Sequence, residues 1–294
     1  MVKESTKYMN LTMNTDKLIS RIIVFLFCCE IPHFVESFKP ISRACIPKPR
    51  RGTDQYIVGY GSLMSTPSKS RTYPNTLENI PVTVKGFSRS WNCKGVSPTL
   101  STTYLGANWD PKKSFNAVIF KLANSSGADA EKALNDFDRR ESYYCRKEVP
   151  VKDIQFFGGI KNVSSSAARN SQYWIYVTKP EYTAFPSKNY PIVQSYVDVW
   201  LSGCFELEEK FDLEGFAKQC IESTQGWSNN WVNDRIYPRR PFFYQPNALT
   251  IDRLLMETIP SKYSKINNGG RINVGDVNVL LALFGLVRYF CSQL

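Results

Sequence analysis

The sequence predicts an α+β fold built around a small mixed β-barrel, with flanking helices and a C-terminal helical extension. Two observations support this fold class. Strand patterns dominate the first half of the chain, and a few helix patterns are interspersed from about residue 125 onward. Strands that come first, with helices between and after them, are typical of α+β domains. There is no internal repeat.

The 294 residues fit one or two domains and are long enough to bury a full core. We divide the chain into four parts. Residues 1–52 are a targeting or disordered leader, and residues 53–204 form the folded domain. Residues 205–260 form an extension that packs on this domain, and residues 261–294 form a tail with a loop and an apolar helix.

The strands are predicted where β-branched and aromatic residues cluster between glycine, proline and asparagine. The first one ends at a Tyr-Gly-Ser sequence, and the others follow at short intervals. The predicted strands are Gln55–Gly59, Ile80–Trp91, Leu100–Ala107, Phe115–Leu122, Tyr143–Val151 and Gln172–Thr178.

The first helix is predicted where Ala130, Ala133, Leu134 and Phe137 recur at helical spacing, with an end near residues 140–142. A second helix is expected at Ile192–Leu201, capped by Ser187 and stopped by Gly203. Two more are expected at Leu213–Ser223 and Ile251–Glu257, and a loop is expected at Ile266–Gly270.

The net charge of +11 divides into +5 for residues 1–52 and +6 for the rest, so a mildly basic body follows a basic leader. No nucleic-acid-binding motif accompanies this charge, and we expect no nucleic-acid partner. The densest basic spot is Arg235 with Arg239 and Arg240. It is interpreted as a solvated loop or a local salt-bridge set, or else as a contact to an anionic substrate.

Two tryptophans precede this basic spot. Trp227 and Trp231 either form a lid over a substrate or pack the extension onto the barrel. Neither interpretation follows from spacing alone.

The eight cysteines contain no C-x-x-C pair, so no structural zinc site is predicted. Five of them lie in the body at irregular spacing, which favours reduced, buried thiols over a disulfide framework. The single histidine, His33, lies in the leader. The body therefore lacks the residue needed for Ser-His-Asp or Cys-His catalysis, and any proton-transfer group is a carboxylate, Lys, Tyr or Cys.

The leader has the pattern of a short signal peptide. Two basic residues precede an apolar run at 22–29, Ser37 ends a cleavage-like site, and Met13 is an alternative start. The run is too short to span a bilayer, so no stable membrane span is expected. Phe38 and the basic stretch after it resemble plastid-targeting leaders of algae with secondary plastids. Secretory entry, plastid routing and a disordered leader on a cytoplasmic protein stay open.

Two local patterns carry the candidate chemistry. Tyr60-Gly61-Ser62-Leu63 follows a buried strand, and successive N–H groups in such a turn form a concavity that binds anions. Glu141 stands where a helix gives way to a strand, so its side chain is placed to face a cleft, where aromatic rings would raise its pKa. The alternatives are an ordinary turn and a salt bridge from Glu141 to a neighbouring arginine.

Taken together, these elements resemble the γ-glutamylcyclotransferase superfamily. The resemblance covers residues 55–204 and depends on three separated elements in the same order. Those elements are Tyr60-Gly61-Ser62, then Asp138 and Glu141 with Tyr144 and Arg146, then Pro186-Ser187 with Tyr190. Three departures bear on substrate identity more than on reaction type: Leu63 replaces a frequent Asn, Ser142 replaces the usual Gly, and a long extension begins at Phe205.

The resemblance implies an enzyme, a carbon–nitrogen lyase that releases 5-oxoproline from a small γ-glutamyl amide or peptide without a cofactor. It implies that Glu141 is the catalytic general acid/base. It implies that the backbone of Tyr60–Leu63 binds the substrate, and that Tyr144 and Tyr190 orient it and wall the pocket. The alternatives are a non-catalytic binder of γ-glutamyl ligands with the same fold, an interaction protein at a membrane surface, and a carboxylate-based hydrolase that releases free glutamate.

Overall fold

The computed structural model describes residues 45–96, 101–122, 128–157, 170–238 and 247–269. Within these ranges the fold is α+β, as predicted. The strands are β1 (Asp54–Gly59), β2 (Ile80–Gly95), β3 (Thr102–Lys121), β4 (Tyr144–Val149), β5 (Ile154–Phe156), β6 (Ser171–Thr178), β7 (Ile192–Val193), β8 (Thr224–Gln225) and β9 (Trp231–Val232). The helices are α1 (Thr66–Ser70), α2 (Ala128–Arg140), α3 (Gln194–Phe211), α4 (Phe216–Glu222), α5 (Ala248–Thr258) and α6 (Pro260–Gly269).

The main sheet is a curled half-barrel with the strand order β4-β6-β1-β3-β2-β5, and β8 pairs with β2. β1 runs parallel to β6 and antiparallel to β3, so the sheet is mixed. A further bridge between Ala107 of β3 and Val177 of β6 draws the sheet into a curl. The prediction of a small mixed barrel is therefore confirmed at the level of a curled sheet.

β1 lies at the centre of this sheet and is buried from Gln55 to Gly59. A strand covered on both faces reads as a continuous apolar run, which is why its sequence was recognisable. Its end delivers the chain directly to Tyr60, and this position fixes where the candidate site lies.

Two predicted strands, Leu100–Ala107 and Phe115–Leu122, are parts of the single strand β3. Both parts pair with β2, but the register shifts between Lys85 and Phe87. The largely exposed residues 110–113 form the irregularity that separates the two apolar runs. The break in the sequence pattern therefore marks a bulge rather than a strand end.

The helix predicted at Ile192–Leu201 begins and ends later than expected. Ile192 and Val193 pair with β9 as a short parallel strand, so α3 begins at Gln194. The cap is not Ser187: the Asp234 carboxylate accepts hydrogen bonds from the backbone N–H of Ser195, at 2.7 Å, and from its hydroxyl, at 2.6 Å.

Gly203 does not stop α3, which continues to Phe211. A Cβ at Gly203 would lie 2.5 Å from the backbone nitrogen of Ser65 and 2.6 Å from the carbonyl carbon of Met64. This glycine is therefore needed for close packing of a helix against the turn after β1. The expected boundary at 204/205 falls inside this helix.

The tryptophans of the extension pack rather than form a lid. The rings of Trp227 and Trp231 stack with centroids 5.4 Å apart, and Trp227 also contacts Trp91 of β2 at 5.2 Å. Arg235 donates to both oxygens of the buried Asp198, each at 2.7 Å, and to Asp252 at 2.7 Å. The salt-bridge interpretation of Arg235 is confirmed, while Arg239 and Arg240 lie outside the described residues.

The expectation of reduced thiols is wrong for one pair. Cys45 and Cys145 form a disulfide across a sequence separation of 100 residues. The odd number of cysteines in the body and their irregular spacing did not reveal this bond, because Cys45 lies in the segment that was assigned to the leader. Cys93, Cys204 and Cys220 are free and buried, as expected.

The loop predicted at Ile266–Gly270 is wrong, because α6 continues through residues 266–269, and Gly270 lies outside the described residues. The signal-peptide pattern and the apolar run near the C-terminus lie outside the described residues. In the part of the chain that the structure describes, we find no helix with the length and apolar character required to cross a membrane.

Candidate active site

The turn after β1 is tightly packed against the aromatic side chain of Tyr196. The N–H of Met64 donates to the Gly61 carbonyl at 2.9 Å and closes a short 3-10 helix, Ser62–Met64. A Cβ at Gly61 would lie 2.6 Å from the Tyr196 hydroxyl oxygen, so a larger residue here would force the Tyr196 side chain to shift. The N–H groups that begin such a helix have no acceptor within it and are available to a ligand.

Glu141 lies in the tight connection between α2 and β4. Its N–H donates to the Phe137 carbonyl at 2.8 Å, which extends the last turn of the helix. Its own carbonyl accepts from the N–H of Tyr144 at 2.9 Å, where the strand begins. These bonds fix the backbone on both sides of Glu141, whose side chain is only 15% exposed.

Arg140 connects Glu141 to the turn after β1. Its Nε lies 3.0 Å from Oε1 of Glu141, and its Nη2 donates to the Ser62 hydroxyl at 2.9 Å. The same guanidinium donates to the Ser68 carbonyl at 2.7 Å and to the Thr72 hydroxyl at 2.8 Å. The planar Arg140 guanidinium therefore contacts the Glu141 carboxylate and the turn after β1 at the same time, and it keeps the two close together. The salt bridge considered as an alternative for Glu141 is present.

The turn and the carboxylate line one small, partly open cleft. Among its described lining residues, Glu141 is the single carboxylate, and the remaining walls are largely aromatic. The lining residues are Tyr60, Gly61, Ser62, Leu63, Leu105, Glu141, Tyr144, Tyr176 and Tyr196.

The tyrosine hydroxyls of the cleft are held by the barrel. Tyr60 donates to the Tyr176 carbonyl at 2.5 Å and accepts from the N–H of Ala107 at 3.2 Å, so it links β6 to β3. Tyr144 donates to the Leu105 carbonyl at 2.8 Å. Burial, and to a smaller extent the charge of Glu141, raises the pKa of Tyr60 well above its ordinary value. Burial also raises the pKa of Tyr144. The hydroxyl groups of Tyr60 and Tyr144 therefore stay protonated and neutral.

A buried charge network supports the end of α2. Asp138 accepts from the Tyr176 hydroxyl at 2.8 Å and lies 3.5 Å from Nε of Arg146. Burial raises the pKa of Asp138, and the charge of Arg146 opposes this effect. Arg146 also donates to the Pro47 carbonyl at 2.8 Å and stacks over Trp174 at 4.8 Å. Arg146 therefore pairs with Asp138 and leaves Arg140 as the partner of Glu141.

Six of the seven predicted site residues meet at this cleft: Tyr60, Gly61, Ser62, Leu63, Glu141 and Tyr144. Tyr190 does not line it. Its carbonyl accepts from the Thr103 hydroxyl at 2.6 Å, and its N–H donates to the Ser187 carbonyl at 3.2 Å, so the residue closes a turn before β7.

Sequence reasoning missed Leu105, Tyr176 and Tyr196 as lining residues. Leu105 and Tyr176 lie within predicted strands, but only the curl of the sheet brings their side chains to the cleft. Tyr196 lies in the first turn of α3, and its approach to Gly61 depends on how this helix packs against the turn. The one available signal was the concentration of tyrosine in the strands and in the helix that flank the motif.

The described residues contain no group of three histidine, cysteine or acidic side chains arranged to hold a metal ion. The arrangement supplies one carboxylate, a guanidinium behind it, a backbone turn and neutral aromatic walls. Such a set is suited to proton transfer on a small ligand whose own groups react with each other.

Comparison with known proteins gave matches among solved structures only. No family model matches the chain, and no curated protein sequence matches it. Thirteen chains of solved structures match.

One of them, described as a gamma-glutamyl cyclotransferase, has 13% identity and a TM-score of 0.39, over 57% of this chain and 86% of that chain. An uncharacterized protein from Homo sapiens has 14% identity and a TM-score of 0.40, over 60% and 92%. A gamma-glutamyl cyclotransferase specific to glutathione from yeast has 12% identity and a TM-score of 0.38, over 58% and 96%. Similarity at this level carries no argument about activity.

Proposed function

We propose that this chain is a γ-glutamylcyclotransferase that releases 5-oxoproline from a small γ-glutamyl amide or peptide. The observation that carries the proposal is the connection of Glu141 to the Tyr60–Leu63 turn through Arg140, with both on one cleft. The order of the sequence motifs agrees with this assignment.

The reaction begins when the Glu141 carboxylate takes a proton from the α-ammonium of the γ-glutamyl group. The freed amine attacks the γ-carbonyl carbon of the same molecule and forms a five-membered ring through a tetrahedral intermediate. The bond from this carbon to the leaving nitrogen then breaks, and the carboxyl group of Glu141 gives its proton to that nitrogen. The ring nitrogen still carries two hydrogens and a positive charge, and it loses one proton to the regenerated Glu141 carboxylate, which passes this proton to the released amine. The products are 5-oxoproline and the free amine.

The turn binds the negative charges of the substrate. Backbone N–H groups around Gly61–Leu63 hold the α-carboxylate or the developing oxyanion. Tyr144 walls the pocket, as Tyr176 and Tyr196 do from β6 and α3. Arg140 orients Glu141 and stabilises the turn from behind.

These groups are sufficient because nucleophile and electrophile belong to one molecule. Folding the substrate into a reactive shape supplies much of the acceleration. A positioned general acid/base adds roughly 10²–10⁴-fold, and each oxyanion donor adds roughly 10²–10³-fold.

The test is product identification with the purified full chain on a panel of glutathione, γ-glutamyl amino acids and γ-glutamyl amines. We expect 5-oxoproline and the free amine in equal amounts from at least one compound. Release of free glutamate would instead indicate a hydrolase. Saturable binding of these compounds with no product from any of them would indicate a non-catalytic binder and contradict the proposal.

A further inference from the structure

Two buried cysteines meet directly behind the turn of the candidate site. Cys204 of α3 and Cys220 of α4 are both fully buried, and their sulfur atoms lie 2.8 Å apart. A disulfide bond is ~2.05 Å long, so the two sulfur atoms lie less than about 1 Å beyond bonding distance. The Cys204 sulfur also lies 4.0 Å from the sulfur of Met64, at the end of the turn.

A buried arginine adds positive charge to this cluster. Arg89 of β2 is fully buried and makes six hydrogen bonds, all to neutral oxygens. One of these acceptors is the carbonyl of Cys220, at 2.6 Å, and another is the carbonyl of Tyr60, at 3.3 Å. A guanidinium surrounded by neutral acceptors favours a negative charge nearby, because a buried cation without a counter-charge is costly.

The Cys220 sulfur is placed to carry that negative charge. It accepts a hydrogen bond from the Cys204 thiol, and the Asn116 amide donates to it at 3.2 Å. Burial by itself raises the pKa of Cys220, but the Cys204 thiol, the charge of Arg89 and the Asn116 amide together lower it. Burial raises the pKa of Cys204 instead, which leaves Cys204 as the proton-bearing partner.

We propose that Cys204 and Cys220 form a redox-active dithiol that hydrogen peroxide oxidises to a disulfide joining α3 to α4. The Cys220 thiolate attacks one oxygen of the peroxide, the O–O bond breaks, and hydroxide leaves to become water. The resulting sulfenic acid is then attacked by the Cys204 sulfur as that thiol gives up its proton. The S–O bond breaks, a second water leaves, and the two thiols have together lost two electrons to the peroxide.

Access to the buried pair depends on the short helix α4. This helix has seven residues, and such short helices depend on packing rather than on their own hydrogen bonds. Its cap residue, Ser223, is partly exposed and contacts Arg89 through its hydroxyl at 2.9 Å. Local opening at this end admits a molecule as small as peroxide without global unfolding.

Cys93 provides an internal control for this proposal. It is also free and buried, but burial raises its pKa to about 12, so it stays protonated. A thiol reacts as the thiolate, and Cys93 is therefore expected to resist the same oxidant.

The experiment treats the purified full chain with hydrogen peroxide, unfolds it, labels the remaining thiols with iodoacetamide and maps the peptides by mass spectrometry. We expect Cys204 and Cys220 to lose labelling together, at least about tenfold faster than Cys93, and to appear in one cross-linked peptide. A cross-link already present in untreated protein would support the proposal if a reductant opens it and peroxide restores it, and would overturn the proposal if it resists reduction. Equal oxidation of Cys93, or separate overoxidation of the two cysteines without a cross-link, would overturn it.

Single variants identify which sulfur reacts first. In Cys204→Ala, the Cys220 sulfenic acid has no resolving thiol and should accumulate, where dimedone traps it. In Cys220→Ala, Cys204 should stay fully labelled. Trapping at Cys204 in the second variant, with none at Cys220 in the first, would contradict the assigned order. The wild-type mapping does not depend on either variant folding.

Discussion

At the scale of single residues, Arg140 connects the two motifs of the candidate site, the Tyr60–Leu63 turn and Glu141. Its side chain is 21% exposed and contacts the carboxylate of Glu141, the hydroxyl of Ser62 and the α1 segment. Its neighbour Arg139 is 79% exposed and pairs with Asp136 on the surface of α2. The two arginines are adjacent in sequence, but only the contacts of Arg140 reach the candidate site.

Arg140→Gln should destabilise the fold and impair the site. Loss of charged hydrogen bonds costs about 1.5–3 kcal/mol in the free energy of unfolding, whereas an exposed change usually stays within about 0.5 kcal/mol. Urea unfolding of Arg140→Gln beside Arg139→Gln measures the difference. Equal stabilities of the two variants would show that the contacts of Arg140 add nothing.

Gly61→Ala should weaken ligand binding and turnover because its Cβ would collide with the Tyr196 hydroxyl oxygen. A misplacement of about 1 Å can cost on the order of 10²-fold in rate. Removing that hydroxyl in Gly61→Ala/Tyr196→Phe should restore part of the activity lost in the single variant, relative to Tyr196→Phe alone. No recovery in kcat/KM would mean that the glycine is needed for another reason.

At the scale of elements, the strands were the most predictable part of the fold. β1, β6 and both halves of β3 follow from apolar and β-branched runs, and α2 follows from helical spacing. The errors occurred where distant packing overrides a local signal. Gly203 suggested a helix end, yet this glycine lies inside α3 because the turn backbone passes against it.

Gly203→Ala should therefore destabilise the protein, although alanine normally favours a helix over glycine by about 1 kcal/mol. The new Cβ would force α3 away from Met64 and Ser65, and overpacking costs about 1–3 kcal/mol. Ser202→Ala is the matched control, because the buried Ser202 hydroxyl has no hydrogen-bond partner in the described part of the chain. A thermal melt in which Gly203→Ala is as stable as Ser202→Ala would refute the packing argument.

At the scale of the whole molecule, the candidate site joins segments that are far apart in sequence. The turn after β1, the α2–β4 connection and the first turn of α3 meet only when the sheet curls. The sequence located Glu141 and the turn because each has a local signature. It did not locate Tyr176, Tyr196 or the bridging role of Arg140, because these depend on sheet curl and helix packing rather than on spacing.

The Cys45–Cys145 disulfide should stabilise the whole fold. It anchors the segment before β1 to the start of β4, and a loop of this length gives an expected stabilisation of about 2–5 kcal/mol. Cys45→Ala/Cys145→Ala should therefore shift the urea midpoint downward. The same shift should follow treatment of the wild type with a reductant, and no shift in either case would contradict the pairing.

The measurement that tests the central claim most directly is the rate of 5-oxoproline release by Glu141→Gln beside wild type and Glu148→Gln. Glutamine keeps the shape of Glu141 but cannot accept the proton, while Glu148 lies on β4 and forms a surface pair with Arg50. We predict a loss of roughly 10²–10⁴-fold in kcat for Glu141→Gln and near wild-type rates for Glu148→Gln. Equal product release by Glu141→Gln and wild type would contradict the assignment of Glu141 as the general acid/base.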